Sequence, residues 1–187
     1  MAAVQYNGNG ILLFRADSSG ALSPVSTITS NLPQAASFSP DGALLAVPTV
    51  DNAVELWNVR DPAHPSLAGK VADVGALPTY AAFANRSALL AIGTDAGRVS
   101  VWDVSDPAVP VQRHSYGDPH AAVYATVFSP DDQTLAAGNG DGLVWAWHLD
   151  RPDSTAYLAL DGGLGRVSDV RFLSGGARLV AAGDNGT

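Results

Sequence analysis

The sequence predicts an all-β fold made from one small antiparallel sheet repeated along the chain, and three observations predict it. Phe38, Phe83, Phe128 and Phe172 recur at intervals of 45, 45 and 44 residues, and Trp57, Trp102 and Trp147 at 45 and 45. Each Phe is followed by a turn-like tetrapeptide, SPDG (39–42), ANRS (84–87), SPDD (129–132) and LSGG (173–176). The charged residues are also the wrong ones for helices: 17 Asp accompany a single Glu (Glu55), and 9 Arg a single Lys (Lys70). Asp favours turns whereas Glu and Lys favour helix, and 19 Gly with 12 Pro point the same way. At 187 residues and 47% hydrophobic content the chain buries a sizeable core, and disorder is excluded.

The elements follow in order within each unit. A first strand ends at the Phe, and the tetrapeptide turns the chain. A short apolar run comes next as the second strand: ALLAV (43–47), ALLAI (88–92), TLAAG (134–138) and RLVAA (178–182). After a second turn an alternating segment ends in Trp: AVELW (53–57), RVSVW (98–102) and LVWAW (143–147). Period-2 alternation supplies the strands, and Asp-Gly and related pairs supply the positive φ of tight hairpin loops. GNGDG (138–142) lies between two strands rather than before a helix, so it is a hairpin turn and not a phosphate loop. The connections DPAHPSLAGKVA (61–72) and DPAVPVQRHS (106–115) open on Asp-Pro-Ala and lead into a fourth, outermost strand, where a proline without an N–H is tolerated.

A lone four-stranded meander cannot bury both faces, so successive units must stack. Radial stacking gives a β-propeller, whose sequence period matches this one. The whole chain, 1–187, is then a partial propeller with repeat units at about 1–35 (incomplete), 36–80, 81–125, 126–170 and 171–187 (incomplete), about four blades' worth in an incomplete ring. Residues 1–17 correspond to the end of a second strand, a turn and a third strand, with Phe14 at the Trp place, and 172–187 stops after the second turn. The expectation is a ring completed by missing blades or by a second chain.

The segments 38–59, 83–104 and 128–149 resemble the WD-repeat (tryptophan-aspartate) propeller family. The pair itself survives as Trp102-Asp103, with Trp57-Asn58 and Trp147-His148 in the sister units. The resemblance implies a structural tetrad of turn Asp, His, Ser/Thr and Trp. Asp51 and Asp141 stand at the turn Asp place, where the second unit has Ala96 with Asp95 one residue early. Thr49 and Thr94 match the Ser/Thr place, Asn139 replaces it in the third unit, and His120 falls one residue late. Apolar packing between blades is therefore expected to dominate over a buried polar network. The Ala, Arg and Asp bias and the D-P-A-x-P connectors resemble bacterial high-GC members, where such propellers often accompany signalling NTPase or kinase domains.

Function classes narrow by exclusion. Without Cys there is no disulfide, thiolate metal site or cysteine nucleophile. A net charge of −8 opposes binding to a phosphate backbone. No run reaches the ~18 apolar residues of a membrane span, no signal peptide is recognisable, and a cytoplasmic location is expected. The four His share no ligand spacing and no G-x-S-x-G elbow occurs, so no catalytic, cofactor or metal residues are assigned. The alternative is a hydrolase- or lactonase-like propeller with a metal in its channel, which lacks its usual ligand because Glu55 is placed on an outer strand. The leading expectation is a non-enzymatic protein–protein interaction scaffold or sensor. Gln34, Thr79 and Tyr124 stand four residues before each Phe, with Ser168 as their sister. Trp145 stands where other units carry Glu55 and Ser100. These four, Gln34, Thr79, Tyr124 and Trp145, are the candidate partner contacts. Arg166 and Arg171 are expected to form a solvated charge pair with Asp169.

Overall fold

The computed structural model describes residues 2–7, 10–31, 35–117, 121–151, 158–163, 165–173 and 175–185. Among them the chain forms 17 strands and no helix. The first sheet holds β1 (Ala2–Asn7), β2 (Gly10–Ala16) and β3 (Leu22–Thr29). The second holds β4 (Ser37–Phe38), β5 (Leu44–Thr49), β6 (Ala53–Asn58) and β7 (Ser66–Val71). The third holds β8 (Pro78–Phe83), β9 (Leu89–Thr94), β10 (Arg98–Asp103) and β11 (Val111–Gly117). The fourth holds β12 (Val123–Phe128), β13 (Thr134–Asn139), β14 (Leu143–His148) and β15 (Leu158–Asp161), and the fifth β16 (Val167–Phe172) and β17 (Leu179–Gly183). All are antiparallel meanders in chain order.

Register confirms the repeat. Phe38, Phe83, Phe128 and Phe172 close their first strands opposite Leu45, Leu90, Leu135 and Leu179. The pairing of third with fourth strand shifts between Leu13 and Phe14, Leu56 and Trp57, and Val101 and Trp102, so Phe14 does hold the Trp place. β4 is only two residues long. Pro48 of β5 stands where β9 has Gly93, and a proline cannot donate to a ladder, so pairing with the first strand stops short of it. The turn between second and third strands calls for a left-handed residue, met by Asn52 (φ 58°), Gly97 (φ 76°) and Gly142 (φ 85°). GNGDG is thus the expected hairpin turn.

The sheets pack face to face, with the first strands β8, β12 and β16 adjoining one another. One apolar cluster fills each seam. Between the second and third sheets Ala46, Val54 and Leu56 meet Leu90, Ile92, Phe83 and Trp102. Between the third and fourth Ala91, Val99 and Val101 meet Leu135, Ala137, Phe128 and Trp147. Period-2 alternation explains the division: Ala46 faces one seam while Leu45 and Val47 face the preceding one with Ile11, Leu13 and Trp57. The second and third blades therefore each offer one small and two branched side chains to the aromatic pair of the next. The aromatic repeat marks blade core. At the far end Val180 occupies the place of the fully buried Ala46, Ala91 and Ala136, but is 49% exposed because none of the described sheets covers it. The described sheets form an open series.

Polar clips reinforce these seams more than expected. Glu55 lies on the third strand, facing the first sheet, and accepts hydrogen bonds from Ser30 Oγ (2.8 Å) and from its own blade's Trp57 Nε1 (2.9 Å). In the third sheet Ser100 Oγ accepts from Trp102 Nε1 at 2.9 Å. Replacing Glu55 by Ala orphans the indole N–H and the buried Ser30 hydroxyl, with an expected cost of about 1 to 2 kcal/mol in chemical denaturation. Glu55→Gln, which keeps an acceptor, should recover most of it.

Candidate functional site

One rim carries the turns between second and third strands and the starts of the first strands; we call it the upper rim. The first strands of the third, fourth and fifth sheets bear a β-bulge there, at Thr79 between Pro78 and Tyr80, at Tyr124 between Val123 and Ala125, and at Ser168 between Val167 and Asp169. The candidate positions are the bulged residues, and a bulge re-aims its side chain. Gln34 lies outside the described residues.

The hydroxyls of Thr79 and Ser168 turn back into the sheet. Thr79 Oγ1 donates to the Gly93 carbonyl (3.1 Å) and closely approaches the Val123 carbonyl of the next sheet, and Ser168 Oγ donates to the Ala182 carbonyl (3.3 Å). Tyr124 cannot repeat this with a phenol. Its ring lies beside the 139–142 turn, where a Cβ on Gly140 would come within 3.3 Å of Cε2. The Arg166 guanidinium of the fifth sheet stacks over the same ring at 5.0 Å from the centroid. Arg166 pairs with Asp184 (Nε to Oδ2, 3.4 Å), whereas Arg171 Nε meets Asp169 at 2.8 Å. The expected three-residue group is therefore two separate exposed pairs, because Arg166 lies before the strand and its side chain reaches the following turn.

Trp145 is half-buried and packs on the cluster between third and fourth sheets. It covers a neighbouring blade, as does Trp147, whose ring stacks on Tyr116 of the preceding sheet (5.0 Å, 16° between planes). Tyr116 in turn stacks on His114 at 5.8 Å. Burial holds the His114 imidazole below its usual pKa, with the Arg113 charge adding to the effect.

The tetrad departs from the pattern that the resemblance implied. Asp51 accepts from Thr49 Oγ1 and from Lys70 Nζ (2.6 Å) on the outer strand, so its cationic partner is a lysine rather than the histidine that the resemblance implied. These two hydrogen bonds, Lys70 first, hold its carboxyl below the usual value. Asn139 replaces the Thr by capping its own turn, accepting from the N–H groups of Asp141 (3.0 Å) and Leu143 (2.9 Å). Asp95 leaves the tetrad altogether and accepts from the Leu77 N–H at 3.1 Å, as Asp184 does from the Arg166 N–H at 2.9 Å. His120 lies outside the described residues.

On the lower rim, between the third and fourth sheets, Asp132 makes a clamp that the sequence did not announce. Its carboxylate accepts from the N–H groups of Asn85 (2.7 Å), Arg86 (2.8 Å) and Ser87 (2.8 Å), from Ser87 Oγ (2.9 Å) and from Asn85 Nδ2 (3.2 Å). Partial burial, the largest single influence, raises the Asp132 pKa, but the hydrogen bonds together outweigh it and hold the group below its usual value. A signal was present: SPDD carries Asp where the sister turns carry Gly42 and Ser87. Among the described residues no three His, Asp or Glu side chains gather as metal ligands.

Comparison with known proteins places this geometry. Residues 111–148 match the family described as WD domain, G-beta repeat. That unit runs from β11 through β14, so the family's repeat is staggered across two sheets and ties each outer strand to the next blade. No curated protein matches the chain. Among solved structures it is similar to a chain of a mitotic checkpoint complex, at 18% identity and a TM-score of 0.78 over 94% of this chain and 53% of that one. Chaetomium thermophilum Sqt1 bound to the N-terminus of the ribosomal protein L10 is similar at 20% identity and a TM-score of 0.72, over 87% of this chain and 46% of that one. The Myceliophteria thermophila Cps50 (Swd1) β-propeller domain is similar at 12% identity and a TM-score of 0.78, over 98% of this chain and 62% of that one. The fold is a β-propeller of WD-repeat type, and the chain spans about half to three-fifths of the length of these proteins.

Proposed function

We propose that the chain is a non-enzymatic protein–protein interaction scaffold or sensor module whose upper rim, centred on Tyr124 and Arg166, receives the partner. One observation carries this reading. The bulge repeats in three successive blades, two of the bulged side chains turn inward as clips, and among the described residues only Tyr124 presents its ring at the rim beneath a guanidinium. An aromatic–arginine pair on a rigid strand is the composition favoured at interaction hot spots. Two of the similar structures are themselves complexes, the mitotic checkpoint complex and Sqt1 with the L10 N-terminus, which supports a protein partner.

The finer reading is a regulatory or assembly module of a longer bacterial signalling protein, cytoplasmic, with missing blades and an NTPase or kinase domain elsewhere in it. The Ala, Arg and Asp bias and the D-P-A-x-P connectors support it. Affinity capture from the source cells tests the rim. A partner held by the wild type should be retained at least tenfold less by Tyr124→Ser/Arg166→Ser and equally by Arg113→Ser on the outer strand. Equal retention by the rim variant would move the site elsewhere.

A further inference from the structure

The outer strands are seated by a contact that changes at the third blade. Ser26 of β3, Gly69 of β7 and His114 of β11 hold one place in the register, opposite Leu13, Leu56 and Val101 and beside the shift in pairing. In the first two blades that place meets a proline carbonyl from the Asp-Pro-Ala connection of the next blade. Ser26 Oγ donates to the Pro62 carbonyl at 2.6 Å. The Pro107 carbonyl oxygen lies 1.7 Å from where a Cβ on Gly69 would stand, so only glycine fits there. The place thus carries a small donor or no side chain, until the third blade puts an imidazole in it. Pro62 and Pro107 each follow the blade's Trp by five residues; Pro152, at the same distance from Trp147, lies outside the described residues.

His114 is half-buried at the end of the stack that runs through Tyr116 to Trp147 of the fourth sheet. Its Nδ1 is buried without a hydrogen-bond partner, and so are Tyr116 Oη and Thr126 Oγ1 of the same seam. These are three of the four such side-chain atoms among the described residues, so this seam carries most of the unmet polar demand. The neutral ring accordingly keeps its proton on Nε2 and leaves Nδ1 a bare acceptor. A second proton would turn Nδ1 into a charged donor with neither water nor acceptor, which costs far more than burying the neutral ring. The neighbours do not offset that charge. On β11 the adjacent Arg113 is the charge that acts on the ring, and it disfavours another cation. The carboxylate beside it on β10, Asp103, is already held by Arg113 at 2.7 Å, and the β10 residue opposite His114 is Val101. From the fourth sheet come Trp147 and Leu149, both apolar. Alternation turns His148 to the other side of β14, while Asp150 and Arg151 are exposed at the start of the connection. Burial pushes the Tyr116 phenol up, so it stays neutral.

We propose that His114 is a pH-sensitive latch: in mild acid, proton uptake at Nδ1 drives the ring out of its stack on Tyr116 and loosens the outer strand β11 from the fourth sheet. The strand is free to respond, because β11 is the outermost strand of its sheet and pairs with β10 alone. The sign follows from burial, which holds the folded imidazole below the 6.5 of an exposed one. The unfolded or opened chain therefore binds this proton more readily, so the seam is at full strength above 6.5 and weakens as pH falls below it. At the lower rim of the same seam Asp132 keeps its hydrogen bonds until far lower pH, since its carboxyl titrates below 3.8. Between those limits the circumference of the seam opens while its rim clamp holds. The latch is independent of the upper rim and of what binds there.

The test begins with the wild type, where no variant has to fold. The His114 Hε1 resonance of the folded chain should titrate below 6.5, and a midpoint at or above that value would overturn the proposal. Urea unfolding then compares wild type with His114→Phe, which keeps a stacked ring and cannot charge. From about pH 7.5 to about pH 5 the unfolding constant of the wild type should rise at least about threefold more than that of the variant, one extra proton allowing up to about tenfold per pH unit. Equal rises would sink the latch. Hydrogen exchange at about pH 5.5 locates the opening. Residues 111–117 and 143–148 should exchange at least about threefold faster in wild type than in His114→Phe, and residues 44–58 of the second sheet equally in both. No difference, or one spread evenly over the sheets, would show that the proton does not act at this seam.

Discussion

Asp132→Ala should lower the stability of the chain by about 2 kcal/mol, a drop of roughly 4 to 8 °C in the thermal midpoint for a domain of this size. The substitution removes the common acceptor of five hydrogen bonds, and it does so between two sheets rather than within one. Charge-assisted hydrogen bonds are individually worth more, but the donors here border solvent, and water will recover part of the loss. Asp132→Asn separates geometry from charge. Because the hydrogen bonds hold the folded carboxyl below its unfolded value of 3.8, the charge-dependent stabilisation is present above that value. It is lost as pH falls through the folded pKa. The gap between wild type and Asp132→Asn should therefore be full at pH 6 and narrow steadily below pH 4. A gap that does not change with pH would show that the carboxylate charge is not what closes the seam. Asp132 is left-handed (φ 60°), so Asp132→Gly, which relieves the backbone, should cost less than the alanine change.

The difference between Asp132 and the strands explains what could be read from the chain. Strand order, turn positions and seam-facing residues are local properties: alternation puts Val54 and Leu56 on one side and Trp57 on the other before any coordinates exist. The Phe and Trp intervals then stack the sheets. Asp132 meets Asn85 across 47 residues of sequence, and no pattern within either turn specifies the other. Glu55 was expected on an outer strand but lies on the third, paired on both sides, and its role as acceptor of Trp57 and Ser30 depends on how closely two sheets approach. Thr79 and Tyr124 share one bulge, yet their directions diverge because a short hydroxyl reaches the neighbouring carbonyl and a phenol overshoots it. Side-chain length, more than position, separates a clip from a surface.

That closeness of approach is itself testable at Gly138, where the largest single effect is expected. The glycine opens GNGDG in the sequence, yet it lies within β13, paired with Val144, and not in the turn itself. A methyl there would lie 2.4 Å from Val167 Cγ1 and 2.8 Å from its Cβ, in a fully buried seam between the fourth and fifth sheets. Gly138→Ala should cost about 3 kcal/mol, because the packed seam yields only by shifting a sheet. Gly93 faces Val123 in the preceding seam in the same way, at 2.5 Å, and Gly93→Ala should follow it. Gly117→Ala, whose methyl would meet nothing closer than 3.9 Å, should be neutral or mildly stabilising. The decisive measurement is the double-mutant cycle with Val167→Ala, which alone costs about 2 kcal/mol through its cavity. Both substitutions act on one volume, so the double variant should lose about as much as Val167→Ala alone, well below the sum of the two losses. Additive losses would mean that Gly138 is required for its own backbone conformation, and that the intersheet distance is set by something other than this contact.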